Sequence, residues 1–509
     1  MKTPRSCPAL LVFIYFLLVC TGLYAQEEQQ EQQEQQQEQE QEQEQEQQEK
    51  KKKSVREYKP REQKLYIDIP LTILEDTAIN LVGNMYWRLW GPDWEAAYFT
   101  KDSIRSNMNP KVWGFEEGQG GDTFLTNQFL HPYAGALYFA SARSNNFNFY
   151  WSILSSVFGT LSWEALGETD SPAISDSINT ALGGIALGEI LHRLYIELDK
   201  GGIAGKIGAS VLSPTDRITA ALRGYGPDKS PRKIRDASLV FGPSQINARF
   251  FDNNTEITSW NTPAAFVGLD LVYGDPYTAR SKTPFDQFDL NTSLTVSLQP
   301  FYNFILNIDG YLASWLLTDD EPNQASNGLT LHLDNFVTDK GFMDLNNGRE
   351  NLSFNANSLD YSIKWRHAFS KSFQLSLKTH IGLSPWVVTD YNGGINKDDY
   401  NLYLYGGNVK LFLELRQIKE NGAKNGHVLN LSLCFYDTLN IPRTPGFDVN
   451  TLFLFSKAAY SFPLTKRFSL YAADNFLFLH CRLSNDMDVE FPNITRWFNS
   501  AQFGLKILF

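Results

Sequence analysis

The chain has 509 residues, of which 42% are hydrophobic, 14% aromatic and only 20% charged, with a formal net charge of −12. The charged fraction lies below the roughly 25% of an ordinary soluble domain. The acidic balance excludes a general nucleic-acid binder, which needs a basic face. After the first 25 residues no uninterrupted apolar stretch approaches the ~20 residues of a spanning helix, which excludes a helical membrane protein.

The N terminus reads as an export address. Lys2 and Arg5 precede an apolar run from Ala9 to Val19, and Ala25 offers a small residue for cleavage before Gln26. A basic start, a short apolar stretch and a small residue at the cut make a signal peptide over 1–25. Cys20 raises the alternative of a lipidated cysteine, but Val19 stands where that processing prefers a small residue. Residues 26–49 are only Gln and Glu, and Lys50 to Lys53 follow. A segment with nothing to bury cannot offset its ordering entropy, so 26–63 reads as a disordered spacer. The next segment, 64–109, reads as a region of possible strands.

Between about 110 and 235 the pattern changes to a helical one, with helices expected over 125–143, 148–166, 175–197 and 214–223. Ser175 or Asp176 suits an N-cap after Pro172. Gly184 and Gly188 lie one turn apart, and a face of small residues admits another helix at close range. Glu189 and Arg193 are spaced i,i+4 and predict an ion pair. Asn127, His131, Arg143, Glu164 and Asp176 are further polar residues among apolar neighbours. A histidine with two carboxylates, His131 with Glu164 and Asp176, suits general acid–base work or a divalent metal. The same three also suit a satisfied polar network that fixes helix register, which is the preferred reading. No metal or other cofactor is assigned.

From about residue 263 onward the period is two, and 236–509 is read as the barrel. In the run from Phe373 to Leu383 the odd positions are Phe, Leu, Leu, Thr, Ile and Leu, and the even ones Gln374, Ser376, Lys378, His380 and Gly382. The same alternation marks 288–298, 329–333, 359–369, 403–415 and 429–435. Half-buried strands alternate in this way. The runs often reach 12–17 residues, whereas strands of soluble sandwiches centre on about five or six. Trp386, Tyr403, Tyr405, Trp497 and Phe498 near strand ends suit an interfacial girdle. Phe503, Leu505, Ile507 and Phe509 form a terminal strand resembling the signal by which outer-membrane barrels are recognised for insertion. The fold expected is a transmembrane antiparallel β-barrel of about 10–12 strands with an N-terminal α-helical insert of three or four helices. Counting back from Phe509 gives ten strands from residue 263 if 327–338 is only a hairpin arm. A pair from 65–90 and 237–251 would make twelve.

Inward positions of that barrel include Lys364, Arg366, Lys378, His380, Lys410, Glu414, Arg416 and Lys506. A cationic wall would favour anions, while the plainer expectation is that these groups are paired across strands. Cys434 and Cys481, left after leader removal, read as isolated buried thiols. The run Asp122-Thr-Phe-Leu-Thr-Asn-Gln-Phe-Leu-His131-Pro-Tyr-Ala-Gly135 begins an ordered motif. Arg143, Trp163-Glu164, Glu168, Ser175-Asp176 and Gly183 to Arg193 continue it. This motif resembles the domain-of-unknown-function 3943 family of Gram-negative envelope proteins. The resemblance covers roughly 110–225 and implies an envelope location without an activity. The family pattern has Pro-Ser-x-Asn-Asp where this chain has Pro172-Ala-Ile-Ser-Asp176, so only the Asp carries over.

Two functional readings follow. The preferred one is a non-enzymatic outer-membrane barrel of a Gram-negative bacterium whose helices plug it or dock on it, with a structural or passive-transport role. Its partners would be outer-membrane lipid and the barrel-assembly machinery, with no nucleic acid. The alternative is a lipid- or envelope-modifying enzyme centred on His131, Glu164 and Asp176.

Overall fold

The computed structural model describes residues 63–90, 97–115, 124, 126–228, 230–277, 280–297, 302–339, 352–391, 400–418, 426–441, 447–485 and 492–509. The expected leader, and the expected spacer apart from Gln63, lie outside them. The chain divides into two compact units: a helical one from 131 to 233 together with the preceding part up to 117, and a barrel from 234 to 508 that also includes 118–130.

Among the described residues the helical unit holds seven α-helices. They are α1 (Leu65–Trp90), α2 (Lys101–Asn107), α3 (His131–Ser144), α4 (Phe149–Leu166), α5 (Ile174–Asp199), α6 (Ile203–Leu212) and α7 (Pro214–Arg223). Three or four had been expected, and 64–109 had been expected to supply strands. That segment is helical because its polar residues recur at the helical period: Asp68, Thr72, Glu75, Asp76 and Asn84 are all buried, four or so residues apart. The Asp68 carboxylate takes the Arg223 guanidinium at 2.5 Å, and the Asn84 amide donates to the carbonyls of Ala97 and Gly167. The opposite face, with Leu74, Leu81, Val82 and Leu89, is exposed, so a polarity reading that placed apolar residues inside would miss the helix. No helix among the described residues is long and apolar enough to cross a membrane.

The centre of the unit is the α3–α5 pair. A Cβ on Gly135 would lie 1.9 Å from the Thr180 carbonyl oxygen, and one on Gly184 only 2.4 Å from the Gly135 backbone. The expected close approach at Gly184 and Gly188 is therefore real, and Gly135 on α3 is its other half. The N-cap of α5 is Ala173, without a side-chain cap. Ser175 and Asp176, the expected caps, sit inside the first turn, and the orphan Ala173 N–H instead donates to Glu164 Oε2 at 2.9 Å.

The barrel is closed and has twelve antiparallel strands in sequential order, β12 pairing back to β1. They are β1 (Ile234–Asp252), β2 (Thr255–Tyr273), β3 (Phe288–Ser297), β4 (Tyr302–Thr318), β5 (Asn323–Asp339), β6 (Leu352–Ser370), β7 (Phe373–Tyr391), β8 (Tyr400–Gln417), β9 (Val428–Asn440), β10 (Phe447–Pro463), β11 (Phe468–Asn485) and β12 (Ile494–Leu508). The strand count falls within the expected range, by a different route. Residues 327–338 are part of the full strand β5, and the additional hairpin is β1–β2, joined at Asn253-Asn254, where both residues have positive φ. Closure removes the exposed strand edges that would otherwise demand a partner. Among the described residues all helices precede β1.

The period-two face assignment decides the class. On β6 and β7 the odd-numbered Leu359, Tyr361, Ile363, Ile381 and Leu383 are exposed, while Asp360, Ser362, Lys364 and His380 are buried. Apolar side chains face outward and polar ones inward, the reverse of a soluble barrel and the arrangement that a lipid-facing barrel requires.

Candidate functional site

Contacts between strands that are not neighbours must cross the barrel interior, and they divide it into layers. Toward the end where β7 finishes and β8 begins the interior is apolar. Phe336 on β5 lies with its ring centroid 4.9 Å from both Phe453 and Phe455 on β10, and Phe354 on β6 stacks on Phe453. Ile246, Phe250, Leu404, Leu477 and Phe498 complete this buried cluster. Phe498, expected in the outer girdle, thus points inward. Trp386 and Tyr403 of the same expected girdle are buried against each other, centroids 5.1 Å apart, and Tyr405 is exposed.

Beneath the apolar layer lies a dense charged one. Lys364 Nζ sits 2.8 Å from Asp309 Oδ2 and 3.2 Å from Asp289 Oδ2, and Lys378 Nζ sits 2.7 Å from the same Asp289 oxygen. Lys410 Nζ reaches Asp334 at 2.7 Å and Asp360 at 3.3 Å, and Tyr436 donates to Asp334 at 2.5 Å. Arg416 pairs with Glu414 at 3.0 Å and approaches Asp236 at 3.8 Å. Arg366 donates from Nε and Nη2 to the Gln324 side-chain oxygen. The inward positions are therefore as the alternation predicts, and these cations are matched by carboxylates or polar oxygens, not left as a bare wall. Toward the other end the charged layer opens into a cavity of about 290 Å³, lined among others by Arg235, Tyr277, Asp289, Lys378 and Lys506.

Four acids of this layer, Asp289, Asp309, Asp334 and Asp360, and the histidine His332 were absent from the inward list. Parity was the available signal: Asp360 shares phase with Lys364 and Arg366, and His332 stands between the outward Leu331 and Leu333. Cys434 and Cys481 are free and buried, on β9 and β11 with β10 between them.

In the helical unit the Glu189 carboxylate, fully buried, receives Arg193 Nε at 2.8 Å as its spacing predicts. It also receives Arg143, Nε at 2.7 Å and Nη2 at 3.2 Å, a fork-on-carboxylate pair across α3 and α5 that spacing could not show. Asn127, in the π-helical turn Thr126–Leu130 before α3, is buried. Of the acid–base candidates, Glu164 and Asp176 are buried, and the His131 ring meets Thr180 Oγ1 at 3.0 Å. Burial pushes the Glu164 carboxyl up to about 7, with the Asp176 charge adding to the rise and the His131 ring opposing it. The three groups thus share one electrostatic neighbourhood. Two more carboxyls of this unit, Glu75 and Asp76, are likewise pushed up to about 7 by burial. A His192–Asp216 pair at 2.6 Å with Ser213 on the other Asp216 oxygen extends the polar interior between α5 and α7.

A closed antiparallel barrel with an apolar outer face and a polar, charge-paired interior is a barrel of the outer-membrane type. Within the chain, residues 119–215 match the family described as "Domain of unknown function (DUF3943)". No curated protein sequence matches. Among solved structures, the toluene transporter TodX of P. putida is 7% identical over 55% of this chain and 90% of its own, with a TM-score of 0.20. The outer membrane protease OmpT from Escherichia coli is 9% identical over 55% and 98%, with a TM-score of 0.19. The outer membrane protein OprG from Pseudomonas aeruginosa is 8% identical over 55% and 99%, with a TM-score of 0.18. These are distant likenesses, and the class rests on the strand pairing and face polarity of this chain.

Proposed function

We propose that the protein is an outer-membrane barrel with a structural or passive role, closed in its resting state, exported by a cleaved leader in a Gram-negative bacterium. The observation that carries this reading is the aromatic contact of Phe336 and Phe354 with Phe453 across the bore. A pore that conducts at rest needs a continuous aqueous path, and an apolar constriction gates by excluding water. The helical unit is read as a plug or docking domain, and its exposed apolar residues, including Leu81, Trp151, Leu154 and Phe158, give it a surface suited to an apolar environment such as lipid. Outer-membrane lipid is the partner of the outward strand faces, and Phe503, Leu505, Ile507 and Phe509 supply the signal for the barrel-assembly machinery. The test is single-channel conductance in a planar bilayer. The intact protein stays silent, and Phe354→Ala with Phe453→Ala conducts. Steady conductance of the intact protein would refute the closed state.

A second reading, a lipid- or envelope-modifying enzyme, draws on the shared neighbourhood of His131, Glu164 and Asp176 and on a carboxyl that titrates near neutrality, the range suited to general acid–base work. Incubation of the purified protein with outer-membrane lipid, followed by mass spectrometry, tests it. Turnover that vanishes in Glu164→Gln would establish the enzyme, and absence of any lipid product removes it.

A further inference from the structure

We propose that Asp309, His332 and His380 form a binding site for a borderline divalent transition metal such as zinc inside the barrel. Among the described residues this trio alone, drawn from His, Cys, Asp and Glu side chains, brings three ligand atoms within 4.8 Å of one another. His332 Nε2 lies 3.8 Å from Asp309 Oδ1 and 3.3 Å from Asp360 Oδ2, and His380 Nε2 lies 3.6 Å from Asp309 Oδ2. The two separations to Asp309 are too long for an N–H···O bond, and they lie within about 0.5 Å of the ~3.3 Å edge of a tetrahedron with metal–ligand bonds of about 2.0–2.1 Å.

The second observation is the state of the ligand atoms. His380 Nε2 and Asp309 Oδ1 are buried and make no hydrogen bond, although buried polar atoms are nearly always satisfied. Both residues belong to the trio, where one cation would satisfy them together. Asp360 Oδ2, 3.3 Å from Lys410 Nζ, keeps its own ion pair beside the site. The supporting shell is already in place. Ser362 Oγ lies 2.6 Å from His380 Nδ1, which fixes the ring with Nε2 toward the acids, the outer-shell arrangement usual for a ligating histidine. Lys364 engages Asp309 through Oδ2, leaving Oδ1 for a metal. Thr330 Oγ1, 2.9 Å from His332 Nε2, also lies 2.5 Å from Ser362 Oγ, so it keeps a partner when that nitrogen turns to a metal.

Charge admits the ion as well. Asp289, Asp309, Asp334 and Asp360 face the three ammonium groups of Lys364, Lys378 and Lys410, so with neutral histidines the layer carries one surplus negative charge. His332 and Asp309 line the interior cavity, which supplies an entry route. Two imidazoles with carboxylate select zinc or a similar ion over calcium or magnesium, whose ligands are oxygens.

The experiment uses the full chain in detergent, stripped with a chelator and titrated with Co²⁺ alone and then Zn²⁺. The expected result is one ion per chain, with Co²⁺ giving visible ligand-field bands that Zn²⁺ displaces. His380→Ala and Asp309→Asn should each weaken binding by more than the ~100-fold that follows loss of an outer-shell partner, and His427→Ala should leave it unchanged. Because the ligand variants sit in a packed interior, the wild-type chain supplies an independent arm: X-ray absorption at the zinc edge should show two imidazole ligands in the Zn²⁺-loaded protein. Absence of stoichiometric binding, binding unchanged in His380→Ala, or a zinc shell without imidazole would each overturn the site.

Discussion

Phe354 on β6 and Phe453 on β10 stack face to face across the barrel, centroids 4.1 Å apart and planes 3° from parallel. Three strands separate them around the wall, so the pair is a bridge through the interior and not a neighbour contact. With Phe336 and Phe455 it turns one end of a polar-lined barrel into an apolar core. Such a core can hold the two walls together much as a soluble protein's core does.

Truncating that bridge should therefore destabilise as well as open the barrel. Each of Phe354→Ala and Phe453→Ala should cost about 3–5 kcal/mol, the range for a buried phenylalanine. The double variant should fall short of the sum, because the two rings share one contact. Denaturant unfolding in detergent micelles, followed by tryptophan fluorescence, measures both. Strict additivity would mean that the rings do not support each other.

Lys410 is fully buried between Asp334 and Asp360. Lys410→Met leaves two carboxylates facing each other in the interior, and breaking a buried pair on one side costs about 3–5 kcal/mol. Adding Asp334→Asn and Asp360→Asn should recover most of that loss. The same unfolding assay decides it, and a triple variant no more stable than the single one would show that the cation acts by packing alone.

The α3–α5 approach predicts a sharp contrast among glycines. Gly135→Ala places a methyl 1.9 Å from a carbonyl oxygen that belongs to the helix backbone, so the helices must separate, at a cost of about 1–3 kcal/mol or more. Gly226→Ala meets nothing within 4 Å and should be neutral. Thermal melting of the helical signal by circular dichroism distinguishes the two.

Acid should stabilise the helical unit. Glu75, Asp76 and Glu164 are raised to about 7 from ordinary values of 3.8–4.5, in each case chiefly by burial. A folded state that holds its protons more tightly than the unfolded chain loses stability as pH rises between the two values. The helical melting temperature should therefore fall from about pH 4.5 to about pH 7. Glu164→Gln should flatten part of that slope, and a slope of opposite sign would mean that these carboxyls are ionised when folded.

Much of this protein was legible from residue order. Period-two alternation from about residue 263 onward gave strands, their long runs gave a spanning barrel, and parity correctly turned Lys364, Lys378, His380 and Lys410 inward. The Glu189–Arg193 pair and the close face at Gly184 followed from helical spacing alone. Helix α1 was missed because its buried face is the polar one: Asp68, Glu75 and Asp76 find partners on or beside α3, α4 and α7, and Thr72 donates to the Asp68 carbonyl one turn back, while its leucines lie outside. Hydrophobic patterning assumes the reverse.

What only the tertiary structure decided is which distant residues meet. Local sequence fixes the side of a strand on which a residue lies, because successive side chains alternate by backbone geometry. It carries no information on what stands opposite across a closed barrel, since that depends on strand number and register around the whole circumference. The stack of Phe354 on Phe453, the pairing of Lys364 with Asp309, and the meeting of His332 with His380 and Asp309 are all consequences of closure at twelve strands.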